Sequence, residues 1–218
     1  MRALASAFAI AALTALVVAC GPPKPPDFQS ILSTSSTTSS AAPTTTGKPV
    51  AISKYLESVG VAGVPVAPNN LPDLTVSIPT PPGWSPYTNP KIPPTTQVIS
   101  KGEKYPTAML LVFKLTGNFD VAEAIKHANA DAQQLPGFTQ LDASTADYNG
   151  FPSSMIQGSF DGNGTRLHSF NRIVFATGSP PANQRYLVQL SITGLAKEAV
   201  AQSADIEAII RGFVIAAK

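Results

Sequence analysis

The 218-residue sequence predicts an α+β fold, an antiparallel β-sheet flanked by helices, and three observations carry that prediction. The order of elements is helix, two or three strands, helix, three or four strands, helix, which is not the strict alternation of a parallel α/β sheet. Asp161-Gly-Asn-Gly164 joins two apolar alternating segments and is a strong hairpin signal. Ala108 to Phe113 is apolar on both parities, which marks a central strand covered on both faces.

The chain begins with an address. After Arg2, Ala3 to Ala19 is an uninterrupted run of apolar and small residues with no basic stop-transfer cluster behind it. That run is short for a membrane span and fits a secretory leader, residues 1–19. Val17-Val18-Ala19-Cys20 resembles a bacterial lipobox, and the resemblance implies a diacylglycerol thioether on Cys20. Two or more acyl chains anchor a protein stably where one does not. Residues 20–49 show no hydrophobic period. Pro22, Pro23, Pro25 and Pro26 favour extended backbone, and Ser33 to Thr46 holds eleven Ser/Thr in fourteen positions. Such a composition buries too little apolar area to offset its ordering entropy, so a disordered tether is expected. Phe28, Ile31 and Leu32 form a small apolar group within it that has no assigned place.

A single globular domain is expected over 50–218. Ser53 to Val59 reads as a short helix with Tyr55, Leu56 and Val59 on one face, stopped by Gly60. Residues 65–94 hold ten of the 21 prolines and should be loop and edge structure. Within them Leu74 to Ile78 alternates as a strand, and Pro79 to Gly83 turns the chain before Trp84; Thr96 to Ser100 reads as a second strand. Asp120-Val-Ala-Glu123 resembles a capping box and opens a helix whose apolar positions run from Val121 to Leu135, ended by Pro136-Gly137. Ser153 to Phe160 and Thr165 to Phe175 flank the hairpin turn, and Tyr186 to Thr193 alternates as a half-buried strand. Ser203 is expected to cap a last helix, with Asp205 and Glu207 in its first turn and Ile206, Ile209, Ile210 and Phe213 buried.

Composition excludes several functions. Residues 50–218 carry 12 basic and 12 acidic side chains, so they lack the electrostatic footprint of a nucleic-acid binder. One cysteine excludes an internal disulfide, a thiolate zinc site and a two-thiol redox motif.

The tracts Pro26–Thr34, Lys54–Val61, Leu74–Trp84, Asn149–Ser159, Arg166–Phe175 and Ala204–Val214 together resemble the mycobacterial LpqN/LpqT lipoproteins, most closely the LpqT branch. The resemblance implies an actinobacterial envelope lipoprotein with a Mog1/PsbP-like α/β/α sandwich. It supplies no catalytic motif, and it implies an association with envelope glycolipid handling. Fold alone does not supply a function.

Chemistry-bearing residues are sparse. Gly158-Ser159-Phe160-Asp161-Gly162 has only a superficial likeness to a nucleophile elbow, because its first glycine stands one position too close. Glu123, His127 and Asp131 share a helix face, either as a weak metal stripe or as a solvated polar face; the second reading is preferred. Gly162-Asn-Gly164 lacks the further glycine and flanking elements of a phosphate loop, and the sequon-like Asn163-Gly164-Thr165 reads as the hairpin turn. Arg166, His168, Phe170 and Arg172 share one strand parity and could hold an anionic or sugar headgroup beside an apolar chain. The alternative for them is an ordinary exposed sheet face. Trp84, the only tryptophan, is either a pocket-mouth residue or a buried anchor, and Met155 and Tyr186 have similar double readings.

These readings converge on a non-enzymatic, lipid-anchored envelope protein without metal or cofactor, lipidated at Cys20, exported and held at the outer face of the cell membrane. An apolar crevice between sheet and helix would take an envelope lipid or glycolipid, with Trp84 and Phe170 in the pocket and Arg166 and Arg172 at the headgroup. The alternative is a module that docks envelope transporters or host proteins through residues 65–94 and has no small-molecule ligand.

Overall fold

The computed structural model describes residues 50–218; the expected leader, Cys20 and the expected proline- and Ser/Thr-rich tether lie outside them. The elements in chain order are α1 (Ile52–Ser58), β1 (Ala62–Val66), β2 (Leu74–Ser77), β3 (Ser85–Pro86), β4 (Gln97–Ser100), β5 (Thr107–Thr116), α2 (Val121–His127), α3 (Ala130–Gln133), β6 (Thr139–Ser144), β7 (Ser153–Gly162), β8 (Thr165–Thr177), β9 (Arg185–Leu195), α4 (Ala199–Arg211) and β10 (Val214–Ala217).

Eight strands make the main sheet, in the order β3-β4-β5-β9-β8-β7-β6, with β1 joining β5. All its ladders are antiparallel. Ten-residue β5 accommodates two partners end to end, since β4 pairs with residues 107–110 and β1 with residues 112–116. β9 takes residues 107–114, so β5 is central, as its sequence predicts; Ala108, Leu110 and Val112 on one parity are buried, whereas Leu111 and Phe113 on the other are only half-buried. β2 and β10 form a separate two-stranded ribbon. The β7–β8 turn is the expected tight hairpin, with Asn163 at φ 52° and Gly164 at φ 72°.

The sheet lies between two unequal layers, the sandwich that the family resemblance implies. Side chains of Leu110, Val112, Val188, Leu190, Ile192 and Phe170 point to one face. There they join Leu74, Val76, Trp84, Ile206, Ile209, Phe213 and Ile215 from β2, the 79–84 turn, α4 and β10. On the opposite face Leu115, Ile173, Phe175 and Leu187 meet Ile52 and Leu56 of α1 and Ala124 of α2, with Ala128 just beyond it.

Several expectations change. Val59 is 40% exposed, and Ile52 takes its place in the core with Leu56. The helix expected from Val121 to Leu135 is broken into α2 and α3. At the break the Ala128 N–H turns to the Ile125 carbonyl, and Asn129 is drawn to β7, accepting from Ser154 Oγ at 3.0 Å. The Asp120 cap is as expected: its carboxylate accepts from the Ala122 and Glu123 N–H groups. β9 is not half-buried, because Gln189 and Thr193 on its polar parity are 5% and 9% exposed. Ser203 does not cap α4 but lies inside it, donating back to the Val200 carbonyl. β1, β3, β6 and β10 are strands that the sequence reading did not identify.

Candidate functional site

α1 is only seven residues long and cannot roof the face of the sheet it packs on. Beside it the structure opens a cleft of about 540 Å³, inside the usual range for ligand pockets. The floor is β5 and β9: Met109, Leu111, Phe113, Leu115, Leu187 and Gln189. These are alternate residues on paired strands, with Leu111 opposite Gln189 and Phe113 opposite Leu187, so one sheet face supplies all of them. Ile52, Leu56 and Val61 form one wall, and Pro65, Ile92, Pro93 and Thr96 the other. Charged residues stand at the rim. Lys54 and Glu57 lie 3.8 Å apart and are exposed; Lys91 is exposed too.

The α1 wall is held from behind by two titratable side chains. His127 Nδ1 lies 3.0 Å from the Val50 carbonyl oxygen, and its ring stacks on Tyr55 with centroids 4.4 Å apart. The Asp131 carboxylate accepts the Ile52 N–H, yet burial outweighs that bond and pushes its pKa up to about 6. His127 and Asp131 therefore face α1 and not solvent, which corrects the expectation of a solvated polar stripe. Glu123 Oε1 lies 3.9 Å from His127 Nε2, while Asp131 turns to Ile52, so the three side chains do not converge on one point. Gly117, at φ 124°, sits where a Cβ would meet the Gly60 carbonyl oxygen at 3.0 Å; it brings the end of β5 against the α1–β1 turn.

The residues expected to bind ligand are placed elsewhere. Trp84 is buried in the core under α4, its Nε1–H donating to Asp205 Oδ2 at 3.2 Å. Lys101 Nζ reaches the same oxygen at 2.7 Å, and these two bonds, Lys101 first, hold the Asp205 carboxyl below its ordinary value. Phe170 is 4% exposed in the same core, as are Met155 and Tyr186, whose hydroxyl donates to Asp73 at 2.7 Å. Arg166 donates to the Gly137 carbonyl, Asp161, Thr139 and Ser159, which ties the α3–β6 turn to the β7–β8 hairpin. Arg172 lies six positions along β8, roughly 20 Å away at the rise of a strand. Its guanidinium carbon sits 4.6 Å from the Tyr148 ring centroid, and its Nη1 donates to Ser153. None of the four lines the cleft. The two buried aromatics are anchors on the opposite face, and the two arginines do not share a site.

His168 meets the Gln157 amide, with Nε2 atoms 3.0 Å apart, and burial lowers its pKa. Ser159 Oγ accepts from Arg166. Sequence reasoning missed the cleft residues themselves: the alternation of residues 186–193 reads Gln189 as solvent-facing.

A family model described as "Probable lipoprotein LpqN" matches residues 48–216. The chain is 68% identical to lipoprotein LpqT of Mycobacterium tuberculosis over 218 residues, covering 100% of this chain and 96% of that one. To LpqT of Mycobacterium leprae it is 62% identical over 215 residues, covering 99% and 97%. The crystal structure of Mycobacterium tuberculosis LpqN aligns with a TM-score of 0.66 at 23% identity, covering 78% of this chain and 99% of that one, which is a likeness of fold.

Proposed function

The chain belongs to the LpqN lipoprotein family, and from that premise we propose that it is a non-enzymatic envelope lipoprotein, anchored through acyl chains on Cys20, whose domain binds an amphiphilic envelope lipid or glycolipid in the cleft beside α1. Its solved structural relative LpqN is described as involved in cell envelope biogenesis of Mycobacterium tuberculosis. Among the described residues no helix is long and apolar enough to cross a membrane, so the acyl anchor at Cys20 is the attachment this reading needs. The anchor is tested by detergent-phase partitioning: the parent should enter the Triton X-114 phase, and a Cys20→Ala protein with the same mass and partitioning would remove it from the account.

The observation that carries the reading is the cleft: an apolar floor and walls, about 540 Å³ in volume, opening at a charged rim. Burying about twelve methylenes gains on the order of 10 kcal/mol at ~0.8 per CH₂. Lost translational freedom and chain ordering offset much of that, which leaves affinity in the micromolar range. The proline-rich stretch 65–94 contributes Pro65, Lys91, Ile92 and Pro93 to the cleft, which favours a small amphiphile over use of that stretch as a separate docking surface.

The test is native mass spectrometry of residues 21–218, made in a mycobacterial host and purified without detergent. Lipid released on denaturation, and lost when Leu111→Trp fills the cleft, is the expected result. A ligand-free protein that takes up no envelope lipid on titration overturns the reading in favour of protein docking.

A further inference from the structure

We infer that the cleft selects an amphiphile carrying a hydroxyl or amide N–H on its apolar chain, and that the amide oxygen of Gln189 receives that donor. The inference rests on the amphiphile reading above and specifies its ligand.

Gln189 sits in β9 between β5 and β8, opposite Leu111 on one side and Ile173 on the other. It is 5% exposed and is the polar member of an otherwise apolar cleft floor. Its Nε2 donates to Asn171 Oδ1 at 2.9 Å, which orients the amide, and its Oε1 is buried with no hydrogen-bond partner. A buried acceptor left unpaired destabilises the protein until a donor reaches it.

Three other described side-chain atoms share that condition: Asp73 Oδ2, Arg172 Nε and Gln202 Oε1. None belongs to a residue that lines the cleft. Asp73 Oδ2 is packed against Gly178 and Gln202 Oε1 against Gly194, so closely that an added Cβ would stand 2.0 Å and 2.7 Å away. Arg172 lies over the Tyr148 ring. Gln189 alone among them lines the cleft, and turning its amide about the side chain brings the buried oxygen to a donor there.

The rim fixes the other end of the ligand. Lys54 is paired with Glu57, whereas Lys91 has no ion-pair partner among the described residues. An anionic or strongly polar head at Lys91, an apolar stem along Leu111 and Phe113, and a donor at Gln189 satisfy the unpaired lysine at the rim and the unpaired oxygen on the floor. A plain alkyl chain leaves the Gln189 oxygen unpaired.

Calorimetric titration of residues 21–218 with saturated fatty acids of ten to sixteen carbons, and with their ω-hydroxy counterparts, tests this directly. A hydroxyl ordinarily weakens burial of a chain. Here, at the length that reaches Gln189, the hydroxy acid should bind about five- to tenfold tighter than its parent. Gln189→Met should erase that preference. If plain acids bind and the hydroxyl weakens binding at every length, or if the preference survives Gln189→Met, the inference fails and the amphiphile reading stands. If neither series binds, the amphiphile reading itself fails. The paired-probe comparison on the unmodified sequence decides the matter even if the variant does not fold.

Discussion

The helix that closes one face of the main sheet is 13 residues long, while the first helix over the other face has seven. On the α4 face, that helix, the β2–β10 ribbon and Trp84 join the sheet in one continuous core of 21 buried residues. Beneath α1 and α2 the corresponding cluster has nine, and Met109, Leu111 and Gln189, at the same depth in the sheet, line a cleft. The sheet is equally regular on both sides. What differs is the reach of the cover, and where the cover stops the sheet presents an apolar floor to a ligand. On this account stability is concentrated on the closed face and function on the open one.

The largest test of that division compares two leucines on adjacent strands. Leu190, at 0% exposure on the closed face, should cost roughly 2–5 kcal/mol as Leu190→Ala, because a cavity opens in packed surroundings. Leu111, half-buried on the cleft floor, already borders open volume and should cost under about 1.5 kcal/mol as Leu111→Ala. Equal shifts in urea midpoint would break the comparison.

Closed packing should also reject added volume. A Cβ at Gly178 would stand 2.0 Å from Asp73 Oδ2, whose partner oxygen accepts the Tyr186 hydroxyl. Gly178→Ala should therefore destabilise by roughly 1–3 kcal/mol, read as a fall in melting temperature, whereas the larger addition Leu111→Trp on the open face should be tolerated better.

A smaller effect should appear in the pH dependence of the open face. Asp131 titrates at about 6 in the folded protein and at about 3.9 unfolded, so the native state holds the extra proton between those values. Its contribution to stability is fully present below about pH 4 and is lost as pH rises to about 6 and beyond. Asp131→Asn keeps an acceptor for the Ile52 N–H and removes the charge. It should flatten that slope and gain on the order of 1 kcal/mol at pH 7, partial exposure of the group being allowed for. An unchanged slope in chemical denaturation would show that the carboxylate behind α1 is not strained by burial.

Much of the fold was readable in the sequence because its signals are local. The Asp161–Gly164 turn fixes the β7–β8 hairpin, Asp120 caps α2, and the two apolar parities of residues 108–113 announce a central strand. The strands that escaped notice carry contrary local signals or almost none: β1 contains Gly63 and Pro65, and β10 is four residues following a helix. The site was less legible for a different reason. The cleft draws on α1, β1, the 91–96 loop, β5 and β9, so no contiguous pattern encodes it. Alternation placed Gln189 toward solvent; only the approach of neighbouring elements buries it. Trp84, Phe170, Arg166 and Arg172 drew attention by residue type. Their partners are long-range, such as Asp205 for Trp84 and the Gly137 carbonyl for Arg166, and sequence spacing does not reveal such partners.

The central claim, that the open face binds an amphiphile, is tested most directly by an amide NMR titration of residues 21–218 with dodecanoic acid below its aggregation concentration. Saturable shifts centred on Leu56, Thr96, Leu111 and Gln189, with Leu190, Ile209 and Trp84 little changed, are the predicted result. Shifts centred on the α4 face, or none at concentrations well above micromolar, would contradict it.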